Sequence, residues 1–274
     1  LNEHWKNLFL SVIGNKLYSS HYFNKWEMYQ WYSKNPDLSA HVPFTCKYQS
    51  PEDVFLLLDK YNKVYIKPIS GLGGHGVVQV RLRDHKYIFK FRENGENLTD
   101  IITNRDEAAE YLNIRLSHGK HLVQQPIELI RIKERVVDFR CVMQKNLSGD
   151  WECKAIIVRC SDKGSIVSNI SSGGSAFVLK NKHPLPLHGD RAARLGKDIG
   201  EFALKVCNAI DQYGINCGTL GLDIGADING KLWLIEINNR DPDPSIALDA
   251  RDKQLYMDIK TGTLTYAKSL CGFA

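Results

Sequence analysis

No apolar run in the 274 residues approaches the ~18 that a membrane span requires. The N-terminal stretch Leu8-Phe9-Leu10-Ser11-Val12-Ile13 is too short, and no small-residue cleavage site follows it, so neither a spanning helix nor a signal peptide is expected. Cysteine is sparse and unpaired in pattern. Seven residues, an odd number, never form C-x-x-C, which excludes a zinc knuckle or a disulfide framework and suits isolated thiols in a reducing cytoplasm. The nine histidines never fall in H-E-x-x-H, so any metal must be held by oxygen. Blocks of like charge are missing as well: 36 basic and 31 acidic residues are interspersed, for a net charge of +5. No nucleic-acid face is expected from that distribution, but a mildly positive chain suits an anionic small molecule such as a nucleotide. With repeats and low-complexity tracts also absent, a soluble globular chain of one or two domains remains.

What is present mixes helices and strands without regular βαβ alternation. An aromatic N-terminal stretch (Trp5, Tyr18, Tyr22, Phe23, Trp26, Tyr29, Trp31, Tyr32) is expected to pack against a neighbour, with a short helix near Trp26 closed by Asn35-Pro36. Residues 51–60 have an acidic first turn and a helical apolar stripe. Strands are expected over 64–67, 77–83, 87–91 and 121–125, with a helix over 104–116. Two long paired strands, 136–145 and 151–159, are joined by a turn-rich connection. A long amphipathic helix follows over 190–213, then two strands around Asn229-Gly230 and a short closing helix over 264–270. The pattern is α+β, in two lobes.

Gly71-Leu72-Gly73-Gly74-His75-Gly76 satisfies G-x-G-x-x-G, a weak signal alone. A dinucleotide fold needs a helix directly after it, whereas Val77-Val78-Gln79-Val80-Arg81 alternates like a strand. No Gly-Lys-Ser/Thr closes a P-loop, and no H-R-D or D-F-G marks a kinase. Two readings remain: a strand–loop–strand flap whose bare backbone covers phosphates, or an ordinary hairpin loop. Lys67, just upstream in Tyr65-Ile66-Lys67-Pro68, favours the first.

Asn229-Gly230 is a strong two-residue hairpin signal. Taken as the turn, it pairs residues whose numbers sum to 459 and sets Asp223 opposite Glu236, with Asn238 on the same face. Leu222, Ile224, Ala226, Trp233, Ile235 and Ile237 would then form the core side, and Leu220, Leu232 and Leu234 would surround the acids. Opposed carboxylates destabilise a strand pair unless a cation lies between them. Two carboxylates and an amide suit Mg²⁺ bridged to phosphates, against the alternative of a solvated acidic face. Asp138 and Arg140 share a strand face and read, in isolation, as a salt bridge. Arg159, Asn169 and Gly173-Gly174 form a second polar cluster, either an anion-binding loop or a surface turn.

The ordered set Lys67, Gly flap, Gln124-Gln125-Pro126-Ile127-Glu128, Asp138-Phe139-Arg140, Arg159, Asn169, Gly173-Gly174, Asp223 and Glu236-Ile237-Asn238 resembles the ATP-grasp superfamily over roughly residues 25 to 271. Val123 to Ile127, Asp138 to Asn146, Ile235 to Arg240 and Tyr266 to Leu270 are similar to the spore coat-associated ATP-grasp proteins of endospore-forming bacteria. The resemblance implies two α+β lobes clasping ATP, with an N-terminal segment over 1–50, a first lobe over 51–125 and a second over 126–274. It implies that Lys67 contacts phosphate and that Gly71, Gly73, Gly74, His75 and Gly76 cover it. Gln124, Gln125, Pro126, Ile127 and Glu128 would form the hinge beside adenine, with Asp138 near the ribose. Asp223, Glu236 and Asn238 would hold Mg²⁺, and Arg140, Arg159 and Asn169 would face phosphate or acyl-phosphate oxygens.

The implied reaction is ligation: a carboxylate, activated as acyl-phosphate, is joined to an amine, with an amino acid or peptide as substrate. A small-molecule kinase on the same scaffold and a non-enzymatic spore-layer protein are the alternatives. Spore association is implied by the resemblance alone, and oligomeric state is open. Two departures stand out. Only about 50 residues precede the ATP-binding part, so the chain is expected to be a fragment or to lack an acceptor-binding surface. Ser171-Ser172 also replaces the Arg that some peptide-forming relatives place before the Gly-Gly pair.

Overall fold

The computed structural model describes residues 3–19, 21–71, 73–116, 120–166, 173–179, 190–240 and 242–273. Helix α1 (Glu3–Ile13) opens the chain, and α2 (Lys25–Tyr32) follows. Asn24 caps α2: its side chain accepts from the Trp26 and Glu27 backbone N–H groups, while Glu27 accepts from the Asn24 N–H. Such a reciprocal cap is worth about 1 kcal/mol. Strand β1 (Thr45–Lys47) leads to α3 (Pro51–Tyr61), which starts on a Ser50–Asp53 capping box and stops at Asn62 in the left-handed region. Then come β2 (Lys63–Pro68), β3 (Val78–Arg83), β4 (Lys86–Glu93), β5 (Glu96–Ile102), α4 (Arg105–Leu116) and β6 (His121–Gln124).

These strands form an antiparallel sheet in the order β1-β6-β2-β3-β4-β5. Alternation along β2 sorts its two faces. Val64 and Ile66 are buried with Phe55, Leu58, Phe89 and Leu112 under α3 and α4. Lys63, Tyr65 and Lys67 therefore project from the opposite face.

The second lobe contains β7 (Arg131–Ile132), β8 (Arg135–Lys145), β9 (Trp151–Cys160), β10 (Ser175–Val178) and α5 (Asp190–Gln212). It continues with β11 (Thr219–Ala226), β12 (Leu232–Asn238), α6 (Ile246–Asp249) and α7 (Lys253–Leu270). The sheet order is β10-β9-β8-β11-β12, with β7 paired to β8. Ile199, Phe202, Val206 and Ile210 of α5 pack on Val137, Phe139, Cys141, Leu220, Leu222 and Ile224. Phe23, Met28, Tyr32, Leu38 and Val42 belong to the same core, with Tyr29 and Trp31 against it, so these aromatics pack as expected while Trp5 and Tyr22 are exposed. Tyr32 is fully buried and its hydroxyl donates to the Val206 carbonyl at 2.8 Å. Helices α6 and α7 cover only part of the other face, where Val142, Ile157, Ile246, Ala247 and Ile259 cluster. The rest of that face carries charge.

Most expected elements form where the pattern placed them; α1, β1, β7, β10 and α6 were not expected, and three further differences stand out. Helix α7 begins at Lys253, eleven residues before the expected closing helix. Strand β5 continues the β4 hairpin through Asn94-Gly95, both at positive φ with Glu93 paired to Glu96. The third difference concerns the register at Asn229-Gly230. Only Gly230 there has positive φ, Asp227 N–H donates to the Lys231 carbonyl, and Ala226 pairs with Leu232. The loop thus has three residues and the register near it sums to 458. A bulge between Asp223 and Ile224 then shifts it by one, and Asp223 pairs with Glu236 after all. Because one residue of slip reverses a strand's faces, Leu232 and Leu234 lie in the core in place of Trp233 and Ile235. Leu220 is in that core too, so these leucines do not surround the acids.

Candidate active site

Pairing across the second sheet brings the charged residues together. Arg159 of β9 lies opposite Asp138 of β8, while Arg140 of β8 lies opposite Asp223 of β11, which in turn faces Glu236 of β12. Arg159 grips Asp138 with two bonds of 2.7 and 2.6 Å, both side chains being 4% exposed. Arg140 grips Asp223 at 2.5 and 3.2 Å, and Arg159 reaches the same carboxylate at 3.1 Å. Asp138 therefore pairs across strands with Arg159, not along its own strand with Arg140 as expected. Burial opposes ionisation of Asp223, but Arg140 and then Arg159 overcome it and hold the carboxyl down to about 2. Burial also opposes the charge on Arg159, yet Asp138 and Asp223 outweigh it and raise that pKa. Asn238 donates to the Gly221 carbonyl at 3.2 Å and lies 3.5 Å from Asp223.

Glu236 is paired with Lys25, 3.0 Å away. The repulsion expected between Asp223 and Glu236 is thus balanced by the chain's own cations, two arginines on one acid and a lysine on the other.

The first sheet supplies the opposite wall. Lys67 donates to Gln124 Oε1 at 2.6 Å, and Gln124 donates to Thr45 at 2.9 Å, so β6 and β1 together hold the lysine in place. Burial lowers the Lys67 ammonium to about 8 against the upward pull of Glu236, and Lys25 lowers it further. Between the walls is a cleft open to solvent, with room of about 120 Å³ for the centres of water-sized spheres. Its charged lining residues are Lys63, Arg131 and Lys67 together with the ion-paired Lys25, Glu236, Asp138, Arg159 and Asp223. Tyr65, Val77, Ile127, Leu129, Val136 and Ile235 supply an apolar part.

Gly71, Gly74 and His75 line the cleft as well. Gly73, Gly74 and Gly76 have φ of 68, 72 and 72°, and a Cβ on Gly76 would lie 2.9 Å from Pro68, so the loop needs its glycines. The stretch from Gln125 runs along the β11–β12 hairpin, Ile228 N–H donating to the Glu128 carbonyl at 3.0 Å. Gln124, Gln125 and Ile127 reach the cleft. Pro126 and Glu128 do not line it, and the Glu128 carboxylate is an ion-pair partner of Lys63. Gly73 and Gly76 also stand back from the lining, and Arg140 and Asn238 join it through Asp223. Asn169, Ser171 and Ser172 lie outside the described residues. Gly173, at φ 86°, abuts Asp162.

Sequence reasoning missed Lys25, Lys63, Tyr65, Arg131 and Ile235 as lining residues. Lys63 and Tyr65 were legible from their two-residue spacing to Lys67. Ile235 was hidden by the bulge, and Lys25 had no local signal.

A family model described as YheC/D like ATP-grasp matches residues 14–270. The chain belongs to that ATP-grasp family. Its two α+β lobes are those of the ATP-grasp fold. Endospore coat-associated protein YheD of Bacillus subtilis (strain 168) is 30% identical over 246 residues, 88% of this chain and 53% of YheD. Endospore coat-associated protein YheC of the same strain is 23% identical over 217 residues, 79% of this chain and 59% of YheC. This ATP-grasp chain thus spans little more than half the length of these relatives. Among solved structures, the ATP-grasp ligase PsnB complexed with minimal precursor aligns with TM-score 0.49 and 11% identity, covering 96% of this chain and 64% of PsnB. A Chryseobacterium gregarium RiPP-associated ATP-grasp ligase, in complex with ADP and a leader and core peptide, gives 0.46 and 14%, covering 98% and 68%. No helix among the described residues is long and apolar enough to cross a membrane.

Proposed function

We propose that the cleft binds Mg·ATP and that the chain is a ligase, activating a carboxylate as its acyl-phosphate and joining it to an amine. The observation that carries this reading is the meeting of two unlike surfaces. One cleft is lined both by apolar side chains (Val77, Ile127, Leu129, Val136, Ile235) and by a network in which Lys25, Arg140 and Arg159 pair with Asp138, Asp223 and Glu236 beside Lys67. The excess of cations over carboxylates, together with a bound divalent ion, offsets much of the charge of a polyanion.

The donor set fits magnesium. Asp223, ionised down to about pH 2, and Glu236 are hard oxygen donors, and Asn238 would add its amide oxygen once its Nδ2 turns away from Asp223 and the Gly221 carbonyl. Bound there, magnesium would neutralise charge on the transferred phosphoryl group.

In this reading Lys67, fixed by Gln124, contacts phosphate, and the 71–76 loop excludes water from the acyl-phosphate. Gln125 and Ile127 lie beside the base, and Asp138, anchored by Arg159, lies near the ribose. Arg140 and Arg159 commit Nε and Nη2 to carboxylates and are thereby oriented toward phosphate or acyl-phosphate oxygens. Asn169 is proposed beside them from its sequence position alone. The substrate carboxylate attacks the γ-phosphate and releases ADP; the amine then displaces phosphate and forms the C–N bond. An amino acid or peptide is the proposed substrate class. Association with the endospore coat is proposed from the names of the curated relatives, and cytoplasmic residence from the unpaired pattern of the cysteines alone.

The test is ATP turnover with Mg²⁺ against amino acids and short peptides, singly and in pairs, with products read by mass spectrometry. ADP and phosphate arising only with a carboxylate–amine pair, together with a condensed product, support the ligase. A stable phosphorylated product from one compound indicates a kinase. ATP binding without turnover in any mixture points to a missing partner domain or to a non-enzymatic coat component, which turnover by a chain of the relatives' full length separates.

A further inference from the structure

The N-terminal segment sends one charged group into the cleft, and that group touches both lobes. Lys25 Nζ lies 3.0 Å from Glu236 Oε1 on β12 and donates to the Gly71 carbonyl of the flap at 2.8 Å. Its backbone is pinned on two sides. Lys25 N–H donates to the Ile69 carbonyl just beyond β2, and the Phe23 carbonyl accepts from buried Asn239 just beyond β12. The Asn24 cap fixes the helix start between these anchors. The ammonium therefore occupies one place, bridging the first glycine of the flap to one of the opposed acids.

We propose that Lys25 competes with the divalent cation for Glu236, so that metal binding frees the Gly71 carbonyl and with it the glycine flap. This rests on the Mg·ATP reading above and gives Lys25, one of the cations of that cleft, a positioning role of its own. The reasoning is electrostatic. A carboxylate oxygen holding an ammonium at 3.0 Å offers that lone-pair direction to no second cation, and a doubly charged ion on the same group repels the ammonium strongly in a part-buried site. Metal entry at Oε1, or repulsion from an ion on Oε2, weakens the hold of Glu236 on Lys25, and in the proposal the ammonium then leaves and Gly71 loses its donor in the same movement. Metal arrival and flap release become one event.

The competition is read with Mn²⁺ as the probe, titrated into the nucleotide-free chain and followed by water-proton relaxation, with Glu236→Ala as the site control. Lys25→Met removes the rival charge and should tighten Mn²⁺ binding about threefold or more, the range expected for losing one part-exposed ion pair. Lys25→Arg should bind like the parent. Hydrogen exchange supplies the second readout: saturating Mn²⁺ should speed exchange over residues 71–76 in the parent, whereas in Lys25→Met it should be fast already and indifferent to the metal. A folded Lys25→Met protein with unchanged or weaker Mn²⁺ affinity overturns the proposal, as does a parent flap that ignores the metal. Failure of the underlying reading looks different: a parent chain that takes up no Mn²⁺, with or without ATP, removes the metal site altogether and this competition with it.

Discussion

Charge on this molecule is organised residue by residue, and the sequence shows which residues carry it but not how they pair. Asp138, Arg140, Arg159 and Asp223 all stand out in the sequence, yet the pairing Asp138–Arg159 and Arg140–Asp223 follows from strand neighbours up to 83 positions apart. Breaking one buried pair strands its partner. Asp138→Asn should destabilise the chain by about 3–5 kcal/mol, measured by urea denaturation, because the Arg159 guanidinium then has only the shared Asp223 to balance it. A loss below 1 kcal/mol would show Arg159 reaching water. Lys67 makes a prediction with two opposite signs. Its folded pKa of about 8 lies below the 10.5 of an ordinary lysine, so between those values the unfolded chain binds more protons and stability rises with pH. ATP affinity should fall over the same window as the ammonium loses its proton, and binding above pH 8 should take a proton up. Calorimetry in buffers of different ionisation enthalpy reads that uptake, and Lys67→Met should abolish it.

Elements were legible where one periodicity ruled a segment and obscure where a turn or bulge intervened. The chain has two Asn-Gly pairs, and they behave differently. Asn94-Gly95 makes the tight two-residue hairpin, while Asn229-Gly230 is part of a three-residue loop whose one-residue offset a later bulge cancels. Asp223 and Glu236 face each other through two irregularities that a count from the turn does not contain. The bulge also gives the consecutive residues Ile235 and Glu236 a place in the cleft lining. That placement is tested by a matched pair of variants. Leu234→Ala should cost about 2–5 kcal/mol of stability, as for a leucine with 1% exposure in the core. Ile235→Ala should leave stability nearly unchanged and weaken ATP binding by removing part of the cleft's apolar lining. The simple two-residue register predicts the reverse assignment, so equilibrium unfolding of the two variants separates them.

At the scale of the whole molecule, the N-terminal segment is divided in role, and nothing in its local sequence announced the division. Residues 23–42 contribute five side chains to the second core, while β1 directly afterwards pairs with β6 at the edge of the first sheet. The segment therefore threads both lobes, and the hydrogen bonds from Lys25 and Asn239 close the connection beside the cleft. Helix α1 is different: Trp5, Leu8, Phe9, Val12 and Ile13 are all at least 40% exposed, so their removal takes little apolar surface out of the core. Deleting residues through Ile13 should change stability by under about 1 kcal/mol, a shift of a few degrees in Tm for a chain of this size. Deleting through Val42 should abolish the cooperative transition, because Phe23, Met28, Tyr32, Leu38 and Val42 leave the core together at roughly 1.5–3 kcal/mol each, a total comparable to the whole stability of a domain. Calorimetric scans of the two truncations decide the matter. If the shorter chain still melts cooperatively, residues 23–42 cover a core that stands without them, and the Lys25 anchor becomes an attachment to a self-sufficient fold.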